Sequence, residues 1–336
     1  MDIYLNLGVI EDQRSELEKA KDWQHEEIFG AIPLKWIEKP QAQWKTYTLR
    51  DQDGSSSCVS QASAKAIEIL DKKNIVYSAH PIYRRRINFP DGGMYLQNAG
   101  DIAKNNGTTT EAYDPSQKLG ETNMNRDITV DTPVKIGGYI NINFKDIDAV
   151  AEAIELHGQC VMIFHGNRKE WTDIPKYDPA FPVDIGHAIC AVDYFLYKGE
   201  KVILIEDSWG RATTMGNGGQ RLITAEYLAN RFAGGIYFLP VSVPPTSRKP
   251  RYTFTKPLSY GMKSDQDIVA LQNILKYEGI FPTTVPSSGN YLSITAKAVI
   301  TWQRKYQIAP EAELVALAGK VVGPKTRAKL NELYGK

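Results

Sequence analysis

Four residues of this 336-residue chain have the types and order needed to open an amide: Gln52, Cys58, His187 and Asp207. A thiolate attacks the carbonyl carbon, and an imidazole moves the proton to and from it. A carboxylate fixes the imidazole's tautomer and tilt. An amide donor steadies the oxyanion that forms on attack. His187 follows Cys58 by 129 residues and Asp207 follows it by 149 (58 to 187, 58 to 207). Separations that long put the groups on different elements, so the fold must assemble them. Each residue alone has a plainer reading: Cys58 as packing, His187 as a structural histidine at a strand's entry, Gln52 as a loop residue. Their joint order makes the catalytic reading. Gly186, before His187, leaves room for a substrate and the thiol to approach the ring. Trp209, two residues past Asp207, can shield the His–Asp hydrogen bond from water.

The elements follow from periodicity. A Gly-Ser turn feeds Cys58 into a helix over 59–70, whose amino terminus favours a negative sulfur. Lowering a thiol from its usual value of about 8.5 is what makes it reactive. Further helices are expected over 98–105 and 146–156. Strands are expected over 160–165, 187–196, 201–206 and 235–239, with a hairpin turn at 197–200. Asp207 then ends a strand. Cys160 and Cys190 lie in apolar runs and read as small buried hydrophobes. Three cysteines, an odd number, make no disulfide framework. The Pro-rich stretch 241–256 reads as a linker. Beyond it, helices are expected over 264–277, 294–306 and 324–333, with Ser264 as the first N-cap and no tandem repeat.

Residues 32–240 resemble the papain family of cysteine peptidases. Gln52 falls on that family's oxyanion glutamine, Cys58 on its nucleophile and His187 on its base. Asp207-Ser-Trp-Gly210 falls on the family's Asn-Ser-Trp-Gly. Asp91-Gly92-Gly93-Met94 is similar to the family's cleft-wall segment, which makes Gly92, Gly93, Gly186 and Trp209 the expected substrate-binding residues. Spacing from the cysteine lies near the ~130–150 residues usual there. The resemblance implies an α+β fold with a helical lobe and a β-rich lobe, and acyl transfer through a thioester. Three departures stand out: Asp207 replaces Asn and should raise the imidazole pKa, Ser55 replaces a disulfide cysteine, and Val59 replaces an aromatic. A secreted enzyme is expected to keep its disulfides.

Residues 257–336 resemble the peptidoglycan-binding domain of bacterial and phage wall lysins. The carrying residues are Leu271-Gln272, Gly289-Asn290-Tyr291, Thr295, Ala298-Val299, Trp302-Gln303, Val322-Gly323 and Thr326. A small all-α three-helix unit is implied, docking to murein, with Gly289, Asn290, Tyr291 and Gln303 as candidate contacts. Residues 1–31 form an amino-terminal extension: a truncated plug over the cleft, an attachment arm, or a surface strap. A net charge of +1 gives no case for a nucleic-acid partner. No long apolar stretch, metal-ligand cluster or cofactor motif appears, so no membrane span, metal or cofactor is expected. The expected setting is a protein without a signal peptide, made in the cytoplasm and acting on peptide or protein substrate at the bacterial wall. It would be a phage or virion-associated lysin, or a bacterial protein exported by a non-standard route. The alternative is a non-enzymatic scaffold of a virion or cell surface, anchored to murein.

Overall fold

The structure, a computed structural model, describes residues 8–20, 22–209, 218–241, 249–283 and 285–336. Gly210 of the Asp-Ser-Trp-Gly motif and residues 242–248 of the linker lie outside the described residues. The chain divides into two compact units. The larger comprises residues 1–22 and 34–241, the smaller residues 23–33 and 242–336. The expected extension 1–31 is thus split between the two.

The larger unit is α+β. Its sheet holds six strands: β1 (Gly138–Ile142), β2 (Cys160–Gly166), β3 (Ile185–Tyr197), β4 (Glu200–Glu206), β5 (Gln220–Thr224) and β6 (Phe232–Leu239). They run antiparallel in the order β1-β6-β2-β3-β4-β5. Lys198 and Gly199, both at positive φ, close the tight β3–β4 hairpin. Helix α1 (Cys58–Asp71) is the central element, with α2 (Leu96–Asn105), α3 (Ile147–His157) and the short α4 (Ala225–Arg231). Sequence reading finds β2, β3, β4, β6 and the first three helices. It misses β1, β5 and α4, which are five to seven residues long.

Every residue of α1 from Cys58 to Ile69 is buried, so this helix lies inside the unit rather than on it. Ala62, Ala64 and Ala66 let neighbours approach closely, and Val59, Ala62 and Ala66 share a core with Val161, Cys190, Val192 and Phe238. Its long buried polar side chains are paired, as burial requires, while the Ser63 hydroxyl has no partner among the described residues. Lys65 Nζ lies 2.9 Å from Glu206 and donates to the Thr48 carbonyl. Gln61 Nε2 donates to the Ser116 carbonyl at 2.9 Å. The Lys65–Glu206 pair ties the middle of α1 to the strand end that precedes Asp207. Cys160 and Cys190 are buried and unpaired.

Among the described residues the smaller unit has four α-helices rather than three: α5 (Gln266–Tyr277), α6 (Ser293–Lys305), α7 (Glu311–Leu317) and α8 (Pro324–Tyr334). A short ribbon, β7 (Leu258–Ser259) with β8 (Val321–Val322), joins them. The N-cap of α5 is Asp265, which accepts from Asp267 N, while Ser264 sits just outside at positive φ. The linker is shorter than expected, because Tyr252 N donates to the Tyr334 carbonyl and Phe254 is buried. A repeat that sequence reading missed shows in the hydrogen bonds. Gln272 Nε2 donates to Asn290 O and Thr295 Oγ1, and Gln303 Nε2 to Val321 O and Thr326 Oγ1. Each second member lies 31 residues after the first (272 to 303, 290 to 321, 295 to 326). Residues 23–33 pack here too: Ile28 is buried and Glu27 pairs with Lys297 at 2.5 Å.

Candidate active site

Cys58 is the first residue of α1, after Ser57. The first amides of a helix have no intrahelical acceptor, so they face the sulfur and its surroundings. The preceding loop is stitched internally. Ser55 Oγ lies 2.6 Å from the Gln52 carbonyl and 2.7 Å from Ser57 Oγ. Ser55 thus holds by hydrogen bonds a turn that the resemblance expects a disulfide to hold.

Gln52 is buried and tethered at both ends of its amide. Nε2 donates to the Ser55 carbonyl at 2.8 Å, and Oε1 accepts from Ser208 Oγ at 2.7 Å. The Gln52 backbone N–H bonds the Ser208 carbonyl at 2.7 Å, zipping this loop to the one that carries Asp207. The second Nε2 hydrogen is left for the cavity that Gln52, Cys58, Gly186, His187 and Trp209 line together, about 250 Å³ in volume.

His187 stands on β3, paired with Phe164 on β2. Its Nε2 lies 2.8 Å from Asp207 Oδ1, which leaves Nδ1 for the cavity it shares with Cys58. Burial alone would lower the imidazole pKa. The Asp207 carboxylate and the Cys58 sulfur outweigh it and bring His187 up to about 9. Asp207 is held below the usual carboxylate range: burial opposes this, but His187, Arg221 and the Trp171 indole all favour the charged form.

Two residues here were not found from sequence. Trp171 Nε1 donates to Asp207 Oδ2 at 2.8 Å, and Arg221 Nε donates to the same oxygen at 3.0 Å. Trp171 comes from the loop after β2, where no pattern marks it. Arg221, a lone charge ahead of Leu222 and Ile223 on β5, is the kind of buried cation that a strand pattern can flag. Trp209 and Trp171 flank the imidazole, with ring centroids 4.4 and 5.6 Å away. Trp209 N also donates to Asp207 Oδ1, at 3.2 Å.

The amino-terminal segment enters this site. A Cβ on Gly8 would stand 2.4 Å from Cys58 Sγ, so only glycine fits there. Met94 N donates to the Gly8 carbonyl at 3.2 Å and Ile10 N to the Met94 carbonyl at 3.3 Å, a parallel bridge centred on the buried Val9. The expected wall residues use their backbone differently. Gly93 N donates to Tyr83 Oη, and the carbonyls of Gly92 and Gly93 accept from Asn88. Met94, one residue on, is where the wall pairs with an extended chain.

No family model and no curated relative matches the sequence. Solved structures do match. Xylellain, a cysteine protease from Xylella fastidiosa, superposes at a TM-score of 0.57 with 18% identity, over 70% of this chain and 97% of its own. Digestive procathepsin L2 from the Tenebrio molitor larval midgut gives 0.54 and 16%, over 70% and 79%.

The larger unit has a papain-like fold.

In this papain-like frame Cys58 begins the central helix of the helical lobe. His187 and Asp207 come from the β-rich lobe, and Gln52 sits beside the thiol. The four candidate contacts of the smaller unit are placed otherwise. Gly289 N donates to Gln272 Oε1, Tyr291 Oη to the Gly319 carbonyl, and Gln303 is half of the second pin. Gly289, Tyr291 and Gln303 are buried, and the Asn290 carbonyl belongs to the first pin. Gly289, Tyr291 and Gln303 thus hold the module together from inside, while Asn290 is half-buried and its Oδ1 accepts from Ser264 N.

Proposed function

We propose that the larger unit is a cysteine peptidase. Cys58 Sγ attacks the scissile carbonyl carbon. The oxyanion is held by Gln52 Nε2 and the Cys58 backbone N–H. His187, protonated when the thiolate forms, gives its proton from Nδ1 to the departing amine, leaving a thioester on Cys58. Water then adds with His187 as base, and the carboxylate product leaves with the thiolate restored. Asp207 holds Nε2 throughout. The observation that carries this reading is the 2.8 Å His187–Asp207 contact whose imidazole shares one cavity with a thiol at a helix start.

We further infer that the cleft is covered as folded. Gly8 and Val9 occupy the ground beside Cys58 and Met94 where a substrate strand would lie, so turnover requires this segment to move. The smaller unit we read as a murein-docking module, on its resemblance to wall-binding domains. Because the motif residues are internal pins, docking falls to its surface, where Tyr260 is the exposed large aromatic among the described residues. A Tyr ring suits a sugar face. Joining a cutter to a wall binder raises its local substrate concentration without new contacts at the cut.

The test is digestion of casein and of purified murein by wild type and Cys58→Ala, with and without residues 1–22. Cleavage of either polymer by wild type alone supports the peptidase and identifies its substrate. Cleavage by both forms, or by neither, overturns it. Sedimentation with insoluble murein, weakened by Tyr260→Ala, tests docking; retention equal to that of an unrelated helical protein removes it.

A further inference from the structure

We propose that Arg221 is a positioning residue of this site: it neutralises the second oxygen of Asp207 and thereby sets how tightly His187 holds its proton. The proposal rests on His187 and Asp207 being the working pair.

The buried carboxylate of Asp207 is an excess of charge beside the imidazole. A carboxylate buried against an imidazole stabilises imidazolium, and it does so more strongly in a dry interior than in water. A general acid that holds its proton too well gives it up slowly, since the best catalytic pKa lies near the working pH. Among the described residues, four donors divide evenly over Asp207. Oδ1 takes His187 Nε2 at 2.8 Å and Trp209 N at 3.2 Å. Oδ2 takes Trp171 Nε1 at 2.8 Å and Arg221 Nε at 3.0 Å. Arg221 therefore shares the carboxylate's charge from the far side without competing for the oxygen that His187 uses.

Arg221 is itself fixed. Its residue pairs with Ile205 across β4 and β5, two positions before Asp207. One guanidinium NH donates to the Trp171 carbonyl at 3.3 Å, and the guanidinium carbon lies 5.4 Å from that indole's centroid. The Arg221 side chain is 6% exposed and that of Asp207 1%, so solvent does little to screen the pair. Among the described residues, the charged and titratable groups around the imidazole are Cys58 from α1, Asp207 after β4 and Arg221 from β5. Asp53 and Arg168 stand at the cavity's rim.

Three consequences follow. Without Arg221, Asp207 acts on His187 with its full charge, and the imidazolium survives to higher pH. Without Asp207's charge, Arg221 is a buried cation facing an imidazolium, which drops in pKa. Removing both charges undoes part of that drop.

The experiment is an NMR titration of the ring-labelled full-length protein, with the His187 signal assigned by its loss in His187→Gln. Expected is a rise of about one unit for Arg221→Gln, a fall of at least about one unit for Asp207→Asn, and partial recovery in the double variant. Arg221→Lys, which keeps the charge, should stay closer to wild type than Arg221→Gln. A purely structural Arg221 would lower the melting temperature and leave the His187 titration in place. An unmoved titration in Arg221→Gln, or identical values for Asp207→Asn and the double variant, overturns the proposal. Failure of the peptidase reading would show separately, as casein and murein both left intact by wild type, with and without residues 1–22, while the titrations still shift.

Discussion

His187 keeps its proton because the burial that should strip it is outweighed by Asp207 on one ring nitrogen and by the Cys58 sulfur. That has a consequence for stability. The folded pKa, about 9, lies above the unfolded value near 6.5. The stabilisation from this proton is therefore complete below pH ~6.5 and is lost as pH rises through ~9. Urea midpoints measured across that window should fall less steeply in His187→Gln than in wild type. Trp171→Phe removes a charge-assisted donor from Asp207 and should cost about 1.5–3 kcal/mol in urea unfolding, with slower turnover. Cys58, His187, Asp207 and Gln52 were legible as a set because nucleophile, base, carboxylate and amide must follow a workable order. Trp171, Arg221 and Gly8 were not. Their part depends on distances across the fold, 36 and 14 residues from Asp207 for the first two, and 50 from Cys58 for Gly8.

At the scale of elements, the helix that carries the thiol is held by charge as well as by packing. Lys65 sits between Glu206 at 2.9 Å and Glu68 at 3.7 Å, all three nearly inaccessible. Lys65→Met leaves Glu206 buried without its cation, while Glu68 keeps Arg50 at 3.5 Å, and an expected loss of about 3–5 kcal/mol should appear as a lowered denaturant midpoint. The amino-terminal segment is placed by a different logic, a backbone bridge to Met94 and a glycine against sulfur. Gly8→Val drives a side chain into Cys58 and should displace the segment. Iodoacetamide should then label Cys58 faster than in wild type; an unchanged rate would mean that the segment does not shield the thiol. Long periodic elements such as α1, β3 and β4 were readable because one residue pattern spans their length. The strand β5 and helix α4 were not, since each is set by its partners: β5 by β4, α4 by the Thr224 cap on Tyr227 N.

For the whole molecule, the division into two units matters more than the linker between them. Segment 23–33 belongs with the smaller unit although it precedes the larger one in sequence. Polar, short and with weak periodicity, it gave no sign of where it would pack. The motif that marked the smaller unit turned out to be its scaffold, since Gln272 fastens the chain leading to Thr295 on α6 and Gln303 the chain leading to Thr326 on α8. Gln303→Ala leaves the Thr326 hydroxyl and Val321 carbonyl without their donor. It should cost that unit about 1–3 kcal/mol while the labelling rate of Cys58 stays the same. The most direct measurement of the central reading is acid-quenched mass spectrometry of the protein, residues 1–22 removed, mixed with an activated peptide ester. Expected is one acyl group per chain, located on Cys58, formed far faster than on a free thiol and absent in Cys58→Ala. An acyl group found instead on Cys160 or Cys190, or none at all, would contradict it.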